Sequence, residues 1–370
     1  MFESYLRAFQ LDTTDKIAAV AKAYQVVQRH LAPFVVKVVV DMIPSLVQAV
    51  ERGASKVVFL GRDGFAFGHV LSEIRPQFYA EHCVHMYVPR VLADAALQDL
   101  EQFEGKDFSP IEAFRKRSPA TTEVADAREN LSRYFALSGV DIEAGGRTVH
   151  LVDSGLKGSI QEMLAAAFPE TSFVGHYAFF AASPNDPHPG TKYGYAMHLD
   201  GPDSRDGRAL RGELPGDPTR TFQHHQAIVA IETLISGSKS SPVGFGFHGR
   251  PRVRRVRRAG LSHNELGTGD MPLEYADPHV REAILAASIM AIVHFARALA
   301  PTIRLEAQGN ATLTYSESWY SHLADRSDGL RDQIREWVAR TGGADADLAQ
   351  LLDAFVLRPA LSQIQSRRPQ

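Results

Sequence analysis

Residues 147–165, RTVHLVDSGLKGSIQEMLA, decide the fold. Residues 148–152 are mostly apolar and β-branched, which predicts a buried parallel strand ending in the acid Asp153. Residues 154–159 then predict a turn of small residues, and a helical spacing of apolar residues begins at Ile160. Together they predict an anion cradle, because backbone N–H groups in such a turn and the helix dipole both favour a negative group. A plain strand-to-helix turn without a ligand accounts for the same pattern equally well.

A second stretch has the same arrangement earlier in the chain. Residues 56–68 read KVVFLGRDGFAFG, in which an apolar run over residues 57–60 leads into a polar loop with glycines. A third apolar run, CVHMYV at residues 83–88, ends in Pro89 and Arg90. Open α/β sheets bind ligands at the carboxyl ends of their strands, so the three loops are expected to face one site. Arg90 alone would be equally consistent with an ordinary surface arginine.

Composition and charge indicate a globular protein. The chain has 370 residues, of which 44% are hydrophobic and 22% charged, enough to build a full core. A net charge of −3 argues against a general nucleic-acid binder, and we expect no specific nucleic-acid partner. The single cysteine, Cys83, excludes an internal disulfide, and the first residues, MFESYLRAFQLD, lack the pattern of a signal peptide. We therefore expect a cytoplasmic protein. Because prolines and charges interrupt residues 32–50, we expect no membrane span.

Alternating strand and helix patterns predict an α/β fold around a parallel sheet. A further strand is predicted over residues 173–182, a short hairpin around residues 193–198, and a helix over residues 222–235. We divide the chain into an N-terminal helical segment, an α/β phosphate-binding core, a loop-rich segment with a helix and a basic hairpin, and a C-terminal helical region, over residues 1–55, 56–200, 201–275 and 276–370.

Two features of the second half are open to more than one interpretation. One basic cluster follows a predicted hairpin strand and comprises Arg250, Arg252, Arg254, Arg255, Arg257 and Arg258. We favour a solvated strand face over polyanion binding, because a run of charge is weak evidence by itself. Residues 277–300 form a strongly apolar helical pattern that needs a cover. This helix and the two predicted after it are expected to pack on the core or to form a homodimer face.

The order of these motifs resembles a known bacterial domain. A helix with Pro33 near its start precedes VVFLGRDG, YVPR, VDSGLKGSIQ and ETLISG…SPVGF. This series is similar to the "FLxRDG … YxxSR … VDIGxxGTIQ … E" domain attached to bacterial glycosyltransferases and polysaccharide-assembly proteins. That domain is often labelled as related to haloacid-dehalogenase hydrolases, and its pattern also resembles type I phosphoribosyltransferases. The resemblance covers residues 31–247 and implies a Rossmann-like or phosphoribosyltransferase-like sheet.

The resemblance implies a Mg²⁺-dependent transfer of a phosphoribosyl group from phosphoribosyl pyrophosphate to a glycan or small-molecule acceptor, with release of pyrophosphate. Matching positions imply catalytic roles for Asp153, Glu232 and Asp63, and Asp63 is also the candidate Mg²⁺ ligand. The implied phosphate-binding residues are Ser154, Gly155, Lys157, Gly158, Ser159, Gly61, Arg62, Gly64 and Arg90. The chain departs from the family at Pro89, where serine is common, and at Val152, which replaces the first of two adjacent acids.

Two other functions stay open at this point. A dehalogenase-type phosphatase needs an aspartate nucleophile at the end of its first strand, and Gly61 occupies that position here. Phosphoribosyl transfer is therefore favoured over hydrolysis. The second is a non-catalytic module, in which the same loops bind a nucleotide or a phosphate group and no reaction follows. Asp63 and Glu232 would then only fix a loop, form an ion pair or cap a helix.

Overall fold

Five strands form one parallel sheet at the centre of the protein in the computed structural model. They are β1 (Lys56–Leu60), β2 (Cys83–Met86), β3 (Arg147–Leu156), β4 (Thr171–Ala181) and β5 (Lys192–Leu199). Their order in the sheet is β2-β1-β3-β4-β5, and every neighbouring pair is parallel. The structure describes residues 2–53, 56–115, 124–200, 212–238, 240–246, 249–253, 261, 271–307 and 317–356. The predicted α/β fold with a parallel sheet is confirmed.

Helices cover both faces of the sheet. They are α1 (Phe2–Phe9), α2 (Thr14–Val26), α3 (Ala32–Glu51), α4 (Gly64–Ile74), α5 (Pro76–His82), α6 (Arg90–Glu104), α7 (Ala127–Leu137), α8 (Ser159–Ala167), α9 (His225–Ile235), α10 (Pro278–Ala307), α11 (Glu317–Ala339) and α12 (Ala346–Val356). Side chains alternate along a strand, so Val57 and Phe59 enter one core while Val58 and Leu60 enter another. The first core includes residues of α2, α3, α4 and α9–α12, and the second includes residues of α6, α7 and α8.

The sheet departs from the sequence-based prediction at two places. Strand β3 does not stop before the predicted turn but continues to Leu156, because Gly155 and Leu156 pair with Phe179 and Phe180 of the long strand β4. The hairpin predicted around residues 193–198 is wrong. That segment is the single strand β5, which adds to the free edge of β4 in parallel.

The terminal helices pack together on one side of the sheet. Helices α2 and α3 are joined by a π-helical turn at Val27–Leu31, so the chain stays helical from residue 14 to residue 51. Helix α10 contacts α2, α3 and α4, while α11 contacts α3 and α12 contacts α9. The C-terminal helices thus share a core with the helices that cover the sheet, as expected if they do not form a separate domain. A homodimer stays a prediction.

Two helical stretches meet the length and composition of a membrane span. They are Thr14–Glu51 and Pro278–Arg304, and their most apolar windows are 61% and 50% buried within the protein. Core helices of soluble proteins meet the same criteria, so these stretches are weak evidence for a membrane protein.

The predicted basic hairpin is present in part of its length. Strands β6 (Pro242–Phe245) and β7 (Pro251–Val253) pair in antiparallel fashion. Arg250 and Arg252 are exposed beside this pair. The other four arginines of the cluster, Arg254, Arg255, Arg257 and Arg258, lie outside the described residues.

Candidate functional site

A cleft of about 370 Å³ opens at the carboxyl edge of the sheet. This volume is in the range of sites for small ligands. Ten of the twelve predicted site residues line it, namely Gly61, Arg62, Asp63, Arg90, Asp153, Gly155, Lys157, Gly158, Ser159 and Glu232. The other two, Ser154 and Gly64, are buried behind its wall. The three loops and helix α9, which the sequence places far apart, therefore meet at one cleft.

Two arginines enter the cleft from adjacent strand ends. Arg62 follows β1 in a loop that Gly61 holds to β2, by donating its N–H to the Met86 carbonyl at 2.7 Å. Arg90 is the first residue of α6, directly after Pro89. Within the described part of the chain, neither guanidinium group has a hydrogen-bond or ion-pair partner. Both are therefore available to an anion in the cleft, and a guanidinium fork matches phosphate oxygens well.

Two acids approach the hydroxyl group of Ser154, and a third accepts a hydrogen bond from its backbone N–H. The Ser154 Oγ lies 3.0 Å from Glu232 Oε1 and 3.3 Å from Asp63 Oδ2, and the Ser154 backbone N–H donates to Asp153 Oδ1 at 2.8 Å. A hydroxyl group has one hydrogen to donate, so it can serve Glu232 or Asp63 but not both at once.

The acids are held partly against ionisation. Burial, followed by the charge of Asp63, raises the pKa of Glu232 to about 7, although Ser154, Arg90 and Arg62 oppose this rise. Burial and Asp63 also raise the pKa of Asp153 well above its ordinary value, against the hydrogen bond from the Ser154 backbone and the charge of Arg90. Burial and repulsion from Asp63 thus favour the protonated forms of Asp153 and Glu232, and shifted pKa values of this kind are common at functional sites.

The acids suit a magnesium ion that takes most of its ligands from a substrate. Among the described residues, no group of three or more His, Cys, Asp or Glu side chains is arranged to hold a metal ion. Asp63 and Glu232 nevertheless approach the same hydroxyl group, and a cation between them would relieve the repulsion that raises the pKa of Glu232. Mg²⁺ commonly binds through one or two carboxylates, with phosphate oxygens and water completing its shell. The residues present fit that mode of binding.

The turn that the sequence predicts to bind an anion is shorter than expected. Strand β3 ends at Leu156, so only Lys157 and Gly158 separate it from the start of α8 at Ser159. Gly158 caps this helix with a positive φ of 71°, and the helix start faces the cleft. Ser154 belongs to the strand, and its hydroxyl group is turned to the acids rather than to the turn.

The structure explains the glycines of the site by packing within the protein, whereas the sequence pattern predicts that they serve ligand binding. A Cβ atom at Gly61 would lie 2.6 Å from the Phe65 ring, and one at Gly64 would lie 2.5 Å from the Val152 carbonyl oxygen. At Gly158 it would lie 2.7 Å from the Lys192 side chain, and at Gly155 it would collide with the Phe179 carbonyl oxygen. These glycines allow close packing within the protein, whereas the prediction assigned them to close approach of a ligand.

Gly155→Ala is expected to lower the free energy of unfolding by at least about 2 kcal/mol. Its φ of 135° is unfavourable for alanine, and the added methyl group would collide with β4. Chemical denaturation would measure the effect. Gly216→Ala is the matched control, because nothing lies within 4 Å of the added atom, and its stability should not change. Equal stability of the two variants would contradict the packing role of Gly155.

Sequence reasoning missed two residues, Tyr177 and Lys192, that pack against the turn between β3 and α8. The Tyr177 hydroxyl group lines the cleft and donates to Gln161 Oε1 at 2.9 Å. Lys192 is buried beneath Gly158, with its Nζ 2.5 Å from Glu162 Oε1 and 2.7 Å from Asp186 Oδ1. Glu162 and Gln161 belong to the first turns of α8, so this network fixes the helix start. Lys192 lies in β5, which the sequence pattern did not reveal.

One apolar wall of the cleft could have been found from the sequence. Ile228 and Val229 of α9 line the cleft beside Glu232. Ile228 and Glu232 are four residues apart, a spacing that places two side chains on one face of a helix.

No protein-family model matches this chain, and a search of curated proteins found no significant match.

Proposed function

We propose that this protein transfers a phosphoribosyl group from phosphoribosyl pyrophosphate to a glycan or small-molecule acceptor, with Mg²⁺ and with release of pyrophosphate. Its sheet would then be a phosphoribosyltransferase-like core, and the reaction would take place in the cytoplasm. One observation carries this function. Two arginines that have no hydrogen-bond or ion-pair partner among the described residues line one cleft together with a helix start and three acids, so the cleft offers separate contacts for a phosphate, a pyrophosphate and a sugar ring.

The donor's two phosphate groups would occupy opposite sides of the cleft. The 5-phosphate would bind the backbone N–H groups at Gly158 and Ser159, where the helix dipole of α8 adds to the attraction, and Lys157 supplies positive charge. The pyrophosphate would bind Arg62 and Arg90 at the ends of β1 and β2. The ribose ring then lies between them, next to Asp153 in the last part of β3.

Asp153 would stabilise the sugar as the donor breaks. When the bond from the anomeric carbon to the pyrophosphate oxygen cleaves, the electron pair leaves with pyrophosphate and the ring becomes positive. A carboxylate beside the ring is stabilising at that moment, and a preorganised group pays no reorganisation cost. The raised pKa of Asp153 describes the cleft without substrate. Bound Mg²⁺ and a cationic ring would both favour its ionised form.

Glu232 would act on the acceptor. With a pKa of about 7, its carboxyl group is close to the best value for a base at neutral pH. As the acceptor oxygen or nitrogen bonds to the anomeric carbon, its proton would pass to Glu232. Ile228 and Val229 lie on the same helix and would contact the apolar side of the acceptor.

Magnesium would be held by Asp63, with Glu232 and the donor's phosphate oxygens nearby, and it would neutralise the charge that develops on the leaving pyrophosphate. Ser154 would help to position these two carboxylates, because its hydroxyl group lies within hydrogen-bond distance of both and can donate to either one. Ser154 is buried, with a relative exposure of 1%, so bulk water does not compete for this hydrogen bond.

Phosphate-ester hydrolysis is less well supported by the same cleft. The first strand ends at Leu60 and Gly61 follows, so no carboxylate stands where a phosphatase of the dehalogenase type needs its nucleophile. Asp63 directly precedes α4, and its carboxylate lies near the Ser154 hydroxyl group. It therefore has no nucleophilic aspartate at the end of β1 that it could assist.

Phosphorus NMR with phosphoribosyl pyrophosphate, Mg²⁺ and a panel of glycan, nucleobase and alcohol acceptors would test the function. We expect the donor signals to fall and free pyrophosphate to accumulate faster with one acceptor than without any. If the donor binds and no acceptor in the panel accelerates its loss, the cleft is a binding module. If a simple phosphomonoester is hydrolysed and Asp63→Ala abolishes that hydrolysis, the protein is a phosphatase.

A further inference from the structure

A second cavity of about 450 Å³ lies at the opposite edge of the sheet from the cleft. It is bounded by the last turns of α3 and by the starts of β3, β4 and β5. Side chains of Gln48, Arg52, His150, His176 and Tyr193 line it. None of these residues takes part in the chemistry proposed for the cleft.

Two histidines form the floor of this cavity in the centre of the sheet. His150 of β3 is 8% exposed and His176 of β4 is 1% exposed. Central strands of a parallel sheet are normally apolar, so two buried imidazoles at these positions need a reason. Burial lowers the pKa of His150 to about 4 and that of His176 to about 3, so both rings are neutral at physiological pH.

Hydrogen bonds order the two rings and fix which nitrogen faces the cavity. The Tyr195 hydroxyl group lies 2.8 Å from His176 Nδ1, and His176 Nε2 lies 2.8 Å from His150 Nδ1. A phenol is a stronger acid than a neutral imidazole, so we assign Tyr195 as the donor to His176, and His176 as the donor to His150. His150 then carries its hydrogen on Nε2. In the described part of the chain this N–H has no acceptor.

Other polar side chains around the cavity are those of Ser45, Gln48, Arg52 and Thr148. Arg52 and Gln48 present a guanidinium group and an amide from α3, and the Arg52 side chain has no hydrogen-bond or ion-pair partner among the described residues. The Tyr193 ring is 45% exposed and stacks on His176 at 5.7 Å, so it forms a flat wall. The donor groups of Arg52, Gln48 and His150 line the same cavity, and they match the oxygens of a carboxylate or phosphate.

We propose that this cavity is a second ligand site, which binds a small metabolite through its carboxylate or phosphate group. The ligand's oxyanion lies between Arg52 and His150 Nε2, and the rest of the molecule rests on Tyr193. This site is separate from the cleft, so it stands whether or not the cleft transfers phosphoribosyl groups.

Nitrogen-15 NMR of histidine-labelled protein tests the second site, with inorganic phosphate and citrate as separate probes. The experiment uses an Arg62→Ala, Arg90→Ala background so that anions in the cleft do not contribute. We expect a saturable shift of the His150 Nε2 signal with at least one probe. A shift with phosphate alone would indicate a site for phosphate groups, and a shift with citrate alone a site for carboxylates. A shift with both would indicate a site that accepts either group.

A further substitution, Arg52→Ala, should weaken that binding by about tenfold or more, since a hydrogen bond to a charged group is lost. Arg52 is exposed, so its removal leaves the fold intact. Arg75→Ala, in another part of the helical layer, is the control and should leave binding unchanged. An absent shift with both probes, or a shift that Arg52→Ala does not weaken, would overturn the second site.

Discussion

Replacing Asp153 with asparagine is expected to lower kcat by roughly 10²–10³-fold while phosphoribosyl pyrophosphate still binds. Asparagine keeps the oxygen that accepts the Ser154 backbone N–H at 2.8 Å, so the strand end keeps its geometry. It lacks the negative charge that stabilises the cationic ring. Because that charge matters most after the donor bond has begun to break, the loss should fall on kcat rather than on binding.

Steady-state kinetics and calorimetric binding of the donor would separate the two effects. Asp141→Asn, which changes an exposed acid away from the cleft, should match the wild-type protein in both. Full turnover of the Asp153→Asn protein would contradict the electrostatic role. Loss of folding would instead assign Asp153 to the structure of β3.

Replacing Glu232 with glutamine is expected to stabilise the protein at high pH and to remove most of its turnover. The folded protein raises the pKa of Glu232 from 4.5 to about 7, so between these values it holds a proton that the unfolded chain releases. The stability of the wild-type protein should therefore fall as pH rises from 4.5 to 7. The shift corresponds to about 3 kcal/mol at pH 8, and glutamine avoids that loss.

Denaturation of both proteins at pH 5 and pH 8 would measure this difference. We expect the gain from Glu232→Gln to be large at pH 8 and small at pH 5, with activity reduced by roughly 10²-fold or more for loss of the base. Glu170→Gln, an exposed acid, is the control and should change neither property. If the gain in stability did not depend on pH, it would contradict a raised pKa for Glu232 in the folded protein.

The cleft could be predicted from the sequence because its parts lie at strand ends. Apolar runs ending in Gly61–Asp63, in Arg90 and in Asp153 indicate strands, and the carboxyl ends of parallel strands meet at one edge. Glu232 lies on a helix distant in sequence, and only the resemblance to a known domain brought it to the site. The structure places it within 3.0 Å of Ser154.

Other features depend on contacts that a sequence pattern does not contain. Strand β5 lies in a segment rich in Pro and Gly, and it is fixed by pairing with β4 rather than by its own alternation. The length of β3 likewise depends on β4, so the sequence places the start of the turn between β3 and α8 too early. The packing of Gly155 against the Phe179 carbonyl is a contact between strands, which explains why its predicted role differed.

Calorimetric titration of phosphoribosyl pyrophosphate in the presence of Mg²⁺ tests the central claim most directly. We predict saturable one-to-one binding to the wild-type protein and a loss of roughly 100-fold or more in the Arg62→Ala, Arg90→Ala protein, since each arginine contributes a charged hydrogen bond to pyrophosphate. Arg147→Ala changes an exposed arginine at the opposite end of β3 and should bind normally. No binding by the wild-type protein, or equal binding by the double variant, would contradict phosphoribosyl pyrophosphate as the ligand of the cleft.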